Sequence, residues 1–411
     1  MTVPGSRELD LVLVGATGFV GRLTARQLAL QAPAGLRVAL AGRSPERLGA
    51  VRETLGPAAA DWPLLTVDVS GATAVAALAA RARVVVSTVG PYLRYGLPLV
   101  QACAEAGTDY ADLTGETLFV RRSIDACHAR ARETGARIVH ACGFDSVPSD
   151  LAVGLTAARA TADGHLVLGR TAMHVRSLRA GISGGTVDSL RQQLLELETR
   201  PEERSVAADP TCLTDGAAGR PAKIGRLVAR DRRTGVWHAP FVMGLFNAQI
   251  VYRSASLTGG AYGAHHADFV YSEVLDTGTG MAGAVAAAAM AGAPAALMAS
   301  MRFGPSRRLL DAVLPKPGHG PSERVRRRGR FRIEVEADTF AGPRYRTAFG
   351  AELDPGYDAT AVMLAESGLA LATDDLPDRG GVLTPWTALG ETLAQRLRAR
   401  DFTIATEAVA D

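Results

Sequence analysis

The chain lacks the markers of several large functional classes. Its four cysteines, Cys103, Cys127, Cys142 and Cys212, show neither C-x-x-C nor metal-ligand spacing, and no secretory leader precedes the first apolar run. A disulfide scaffold is therefore not expected, and a reducing, cytoplasmic setting is. The eight histidines form no zinc motif; His265 and His266 are adjacent and point differently on most backbones, so no metal is expected. A formal charge of +3 over 411 residues is too small to argue for nucleic acid. The one basic cluster, Arg324 to Arg330, reads as a solvated turn. No Ser-His-Asp pattern and no paired-carboxylate motif is seen either.

One stretch lacks charge altogether. Thr277 to Met301 is uncharged over 25 positions, long enough to cross a bilayer, but it is mostly Ala and Gly with Pro294 inside. The transfer gain per residue is small and the helix is interrupted, so no transmembrane span is expected. A buried Ala-rich helical pair is one reading. The other is an element facing a membrane surface or an acyl chain, because Arg302, Arg307 and Arg308 follow at once and Leu309, Leu310, Val313 and Leu314 form an apolar stripe.

What the chain does have is concentrated near its start. Leu11 to Val14 is an apolar run of the kind buried on both faces of a parallel sheet, and Gly15-Ala16-Thr17-Gly18-Phe19-Val20-Gly21 leads into an apolar-periodic helix, Phe19 to Leu30. A strand, a tight turn and a helix N-terminus in this order offer backbone N–H groups and a positive dipole end to a diphosphate. A dinucleotide is the expected ligand. At the end of the second strand, where an NAD site carries an acid for the ribose 2′-OH, stands Leu40-Ala41-Gly42-Arg43-Ser44. Arg43 can form a planar fork on a 2′-phosphate and Ser44 can add a hydroxyl, which favours NADP(H). Arg43 also fits a solvated surface charge and Ser44 a cap for the helix at Pro45; a cap and a phosphate contact are compatible.

Length beyond one comfortable core and 47% hydrophobic residues imply two domains. Through the first 150 residues strands and helices alternate as a doubly wound parallel sheet requires. Strands are expected at Arg37 to Ala41, Leu64 to Val67, Arg83 to Thr88, Thr108 to Ala111 and Arg137 to Ala141. Helices are expected at Pro45 to Leu55, Ala72 to Ala82, Tyr95 to Ala106 and Phe119 to Thr134. Right-handed crossovers put the carboxyl ends of all strands on one edge. There Asp68 and Val69 suit the adenine, Thr88, Val89 and Gly90 the ribose and nicotinamide, and Gly143 and Phe144 follow the sixth strand.

These segments carry a resemblance. The chain resembles the saccharopine dehydrogenase-like family of oxidoreductases, and within it the trans-acting enoyl reductase group. The likeness rests on residues 15–21, Thr88 to Tyr92 with Tyr95 to Pro98, Tyr110 to Glu116, and Gly143 to Asp150. It continues through Ser183 to Thr186, Pro240 to Met243, Leu314 to Gly318 and Gly381 to Pro385, in order along nearly the whole chain. It implies an α/β architecture: a Rossmann doubly wound parallel sheet, an inserted second α/β (α+β) domain, and C-terminal helices returning to the first domain. The expected boundaries are 1–150, 151–352 and 353–411. Strands at His165 to Ser177 and Phe331 to Ala337, a hairpin partner at Arg344 to Leu353, and helices at Asp358 to Ala372 and Trp386 to Arg398 agree with that plan.

A C=C reductase must orient a reduced nicotinamide against an α,β-unsaturated thioester and provide a donor for the α-carbon. Tyr92 is the first candidate, a phenol just past the fourth strand. Asp145 and Ser146 come next; Asp145 donates only if burial raises its pKa. Each has a bland reading, Tyr92 as a packing lid, Asp145 as a helix N-cap and Ser146 as a turn residue. The substrate implied is a small or carrier-bound acyl thioester, with a polyketide synthase as partner and a homodimer and peripheral membrane contact left open. Two alternatives stand: a C–N oxidoreductase, for which Arg176, Arg179 and Arg253 would have to hold carboxylates, and a non-catalytic lipid-associated nucleotide-binding protein.

Overall fold

A computed structural model of the chain describes residues 7–165, 168–179, 200, 202–215, 228–259, 262, 269–302, 320–339 and 342–409. Two units are resolved, one made of Met1–Val147, Asp188–Ala207 and Pro355–Asp401, the other of Pro148–Val187, Ala208–Asp354 and Phe402–Asp411.

The first unit is built on a parallel sheet. Its strands β1 (Leu9–Val14), β2 (Val38–Gly42), β3 (Leu64–Thr66), β4 (Ala82–Ser87), β5 (Asp109–Asp112) and β6 (Arg137–Val139) are joined by a seventh at Gly381–Leu383, in the order 381–383, β6, β5, β4, β1, β2, β3. Every residue of β1 and β2 is buried, as both-face coverage of a parallel sheet demands. Strand β1 begins two residues earlier than its apolar run. Asp10 can lie inside it because the Arg37 backbone N–H and guanidinium both donate to its carboxylate. The expected helix at 95–106 is divided into Tyr92–Tyr95 and Leu97–Ala106.

The helix Thr360–Thr373 is buried at all but its last residue, the signature of a core helix rather than an amphipathic one. It packs on β1, β4, β5 and the helix Phe19–Gln31, so this C-terminal segment does return to the nucleotide-type unit. Burial of each Leu or Met along it contributes roughly 1.5–3 kcal/mol. Its one carboxylate, Glu366, is fully buried between Arg396 at 2.9 Å and Arg400 at 2.6 Å.

The second unit carries a mixed seven-stranded sheet in the order Thr403–Val409, Arg344–Ala351, Arg330–Thr339, Leu168–Arg179, Val270–Thr279, Val236–Pro240, Ala229–Arg230. Among the described residues only Leu168–Arg179 and Val270–Thr279 pair in parallel in this sheet. The expected hairpin forms between Arg330–Thr339 and Arg344–Ala351. The expectation that 353–411 packs wholly on the first unit needs correction. Thr403–Val409 pairs with Arg344–Ala351 at the edge of the second sheet, where its alternating side chains cover an otherwise open strand.

The uncharged stretch is also different from expectation. It forms the end of a strand and then one helix, Gly280–Arg302, which runs through Pro294 rather than breaking into a pair. That helix is buried on one side only: Ala287 is buried, whereas Met281 is 80% and Val285 63% exposed. No helix among the described residues is long and apolar enough to cross a membrane. The 309–314 stripe, Ser183 to Thr186, Leu314 to Gly318, His265 and His266 lie outside the described residues.

Candidate functional site

The turn after β1 has the geometry that its glycines require. Gly15 sits at φ +86°, and a Cβ there would meet Thr88 Oγ1 at 2.7 Å and Val89 Cγ2 at 2.8 Å. Gly21 lies against the Gly15 peptide, whose carbonyl carbon would be 2.9 Å from an added Cβ. The helix therefore starts hard against the turn. Gly18 is its N-cap and no side chain caps that end, which leaves the N-terminal dipole available to an anion. Gly15, Thr17, Gly18, Phe19 and Val20 are only half-buried, whereas Ala16 is enclosed.

Thr88 supports the turn rather than pointing away from it, its hydroxyl donating to the carbonyls of Val14 at 3.2 Å and Gly15 at 3.1 Å. Val89 is half-buried and Gly90 exposed beside it, followed by a cis peptide to Pro91. Arg43 is exposed just past β2, and Ser44 caps the helix Pro45–Thr54 by accepting from the Arg47 N–H at 3.3 Å. The Asp68 carboxylate accepts from the Ser70 N–H and hydroxyl, which with the charge of Arg43 holds it below its ordinary range. Val69 is buried beneath it. Arg43 and Asp68 thus share one exposed lip of the sheet edge.

Tyr92 has a different place from the one expected. It is 3% exposed, and its hydroxyl donates to the Ser87 carbonyl at 3.0 Å while its ring stacks on Phe119. Burial first, and then the charge of Asp112, push its ionisation well above the usual tyrosine range. Its backbone N–H and that of Leu93 are held by the buried Glu116 carboxylate at 3.0 and 2.7 Å. The phenol closes the interior at the end of β4 and presents no proton to a ligand. Tyr92→Phe is therefore expected to cost about 1 kcal/mol of stability in urea unfolding while kcat stays within about twofold.

The loop after β6 is held from behind by a network that no local pattern announces. Asp112, Ser123 and His140 are fully buried, with His140 Nδ1 2.8 Å from Asp112 and Nε2 2.8 Å from the Ser123 hydroxyl. A Ser-His-Asp chain does exist here, contrary to the reading of the sequence, but it is sealed from any substrate. Its other contacts reveal a supporting role. Asp112 also accepts from the N–H groups of Thr114 and Ala141, and Ala141 adopts φ +61°. The network bends the chain into the 141–146 loop.

On that loop the Phe144 N–H donates to Thr360 Oγ1 at 3.0 Å, and Thr360 in turn donates to the Pro355 carbonyl. Gly143 packs against the same threonine. Nearby in the chain, Tyr357 sets its ring edge-on to Phe19, 5.2 Å between centroids. Residues 355–360 thus touch both ends of the candidate site, a role hidden in a sequence where they merely precede a helix. Asp145 is half-buried, and desolvation alone pushes its carboxyl up to about 6. Ser146 is wholly buried with its N–H 3.3 Å from the Gly143 carbonyl, as a turn residue.

Comparison with known proteins agrees with this geometry. Residues 11–139 match the saccharopine dehydrogenase NADP binding domain. Over 96% of both lengths the chain is 46% identical to a trans-acting enoyl reductase of Mycobacterium bovis. It is 48% identical, over 98% of its length and 99% of the other's, to a Mycobacterium tuberculosis protein provisionally given the same name. The chain belongs to the trans-acting enoyl reductase family. Its fold matches that of saccharopine dehydrogenase (L-Glu forming) from Saccharomyces cerevisiae, with a TM-score of 0.52, 13% identity and coverage of 97% and 99% of the two chains. As a member of this family it is an NADP(H)-dependent oxidoreductase, and the cradle at Gly15, Gly18 and Gly21 with Arg43 at its far lip fits that cofactor.

Proposed function

We propose that the chain reduces the C=C bond of an enoyl thioester, polyketide or lipid-like, delivered by a carrier, and that it works in trans to the synthase that makes the substrate. The full-length identity to trans-acting enoyl reductases carries this reading. Bound NADPH supplies the hydride for such a reduction. The chain's own residues grip the diphosphate at the turn after β1, hold the 2′-phosphate at Arg43 and Ser44, and shape the far end of the site with the 141–146 loop. Asp145, whose carboxyl keeps its proton to about pH 6, is the group on that loop suited to hold and release a proton.

Two of the three arginines that a C–N oxidoreductase would need are otherwise engaged, and the third, Arg179, is exposed. Arg176 is bracketed by Asp276, Glu334 and Glu336, and Arg253 is fully buried with its guanidinium on the Leu213 carbonyl at 2.5 Å. The exposed Met281 and Val285 on the helix Gly280–Arg302 favour a lipid-like substrate or peripheral membrane contact. The four cysteines, three of them buried and none in a disulfide among the described residues, fit a reducing cytoplasm.

Following NADPH oxidation with a 2-enoyl thioester and, separately, with an imino-acid substrate tests the proposal. Turnover of the thioester alone supports it; turnover of the imino acid alone, or tight NADPH binding with no turnover, overturns it. Asp145 provides a second check through pH. Below about pH 4 its carboxyl is protonated in folded and unfolded chains alike and contributes nothing. Between 4 and 6 the unfolded chain loses its proton first, so folding loses stability as pH rises, by on the order of 1–3 kcal/mol above pH 6. Asp145→Asn is expected to recover that amount at pH 8 and nothing at pH 4 in urea unfolding of the cofactor-free chain. An equal effect at both pH values would sink the assignment.

A further inference from the structure

The second sheet gathers two histidines and an aspartate from three strands. His174 on Leu168–Arg179, His238 on Val236–Pro240 and Asp276 on Val270–Thr279 bring one ligand atom each to within 4.8 Å of one another. Both imidazole Nδ1 atoms face the same carboxylate oxygen, at 3.2 Å from His174 and 2.8 Å from His238. Asp276 and His238 are direct cross-strand partners, and the ladder shifts register immediately after them, a bulge with Gly278 at φ +98°. Bulges of this kind re-aim side chains next to functional sites.

The three side chains are neither sealed nor open, with 13, 10 and 11% of their surfaces exposed for His174, His238 and Asp276. The second carboxylate oxygen of Asp276 is engaged by Arg176 at 2.6 Å. That guanidinium is itself paired with Glu334 and Glu336, both at 3.0 Å, so its positive charge is shared among three carboxylates rather than directed at Asp276 alone. Without a cation, one oxygen must accept from two imidazoles whose rings stand 5.1 Å apart. With one, the same three atoms are ordinary ligands. Donors at about 2.0–2.1 Å from a tetrahedral zinc ion stand about 3.3 Å from each other, which compares with 3.2 Å from Asp276 to His174 and 2.8 Å to His238, the two imidazole nitrogens lying within 4.8 Å.

We propose that His174, His238 and Asp276 form a zinc-class divalent metal site, with Arg176 as the partner that orients the carboxylate and a fourth position for water or an exogenous ligand. Imidazole and carboxylate together suit zinc, and an arginine on the non-ligating oxygen is the kind of outer contact that fixes such a ligand. The ion would cross-link three strands that come from residues 168–179, 236–240 and 270–279. The site stands apart from the cofactor-binding turn in sequence and does not depend on the reaction proposed above.

Stripping the untagged full-length chain with a chelator and titrating it with Zn2+ by calorimetry tests this directly, with Co2+ as a spectroscopic probe. One ion per chain and a tetrahedral cobalt spectrum are expected. Affinity should fall by more than about 100-fold in His238→Ala and in Asp276→Asn, and remain unchanged in His165→Ala, whose ring lies elsewhere. Equal zinc uptake by the native chain and His238→Ala overturns the site and leaves a hydrogen-bonded His-Asp-His-Arg network. Should the variants fail to fold, the native chain decides alone: less than one bound ion, or an octahedral cobalt spectrum, overturns it.

Discussion

Alanine at position 21 is expected to weaken NADPH binding by roughly 100-fold or more in a chain that still folds. The added methyl would be driven into the Gly15 peptide, backbone that cannot rotate aside, with the Ala16 Cα a further 3.0 Å neighbour. Relief requires the helix Phe19–Gln31 to move off β1, and overpacking of this kind costs about 1–3 kcal/mol in stability. The larger effect falls on the ligand. Charge-assisted hydrogen bonds are worth about 1.5–3 kcal/mol each, so displacing two amides from a diphosphate costs roughly 100-fold or more in affinity. Fluorescence titration with NADPH, beside circular dichroism to establish folding, measures both. Undiminished affinity in a folded Gly21→Ala chain would show that the diphosphate does not sit at this turn.

Arg43→Ala should separate the two nicotinamide dinucleotides. The guanidinium is exposed at the end of β2, next to no acid placed for a ribose hydroxyl except Asp68, whose carboxylate is already tied to Ser70. A planar fork on a 2′-phosphate contributes about 1.5–3 kcal/mol, so NADPH affinity should fall roughly 10- to 150-fold while NADH affinity stays within about twofold. The NADPH loss should shrink at high salt, because the site is open to solvent. Equal losses for both dinucleotides would place Arg43 in the fold of the turn and remove it from phosphate recognition.

These two residues are candidates on sequence alone because each is positioned by its immediate neighbours in the chain. A glycine at a strand-to-helix turn answers to local backbone geometry, and an arginine at the end of β2 answers to the strand that carries it. Tyr92 was misplaced for the opposite reason. Its position after β4 is local, but its direction is set by Phe119 and the Ser87 carbonyl, which fold around it from one side. Asp145 lay between: its loop followed from the strand pattern, whereas its raised pKa came from desolvation that only packing creates. Tyr357 and Thr360 escaped notice altogether, as they reach Phe19 and Phe144 across more than two hundred residues.

Apolar runs of period and length suited to a parallel sheet, glycines at the first crossover and the missing acid after β2 were enough to specify a nucleotide-binding α/β unit and its preferred cofactor. Folding made the remaining choices. It assigned the last strand to the second sheet, left one side of the alanine-rich helix exposed, buried a Ser-His-Asp chain as a loop support and brought His174, His238 and Asp276 together. Short-range preferences are written into adjacent residues and survive without a partner. Long-range burial, charge pairing and cross-strand register arise only when distant segments share the same few ångströms.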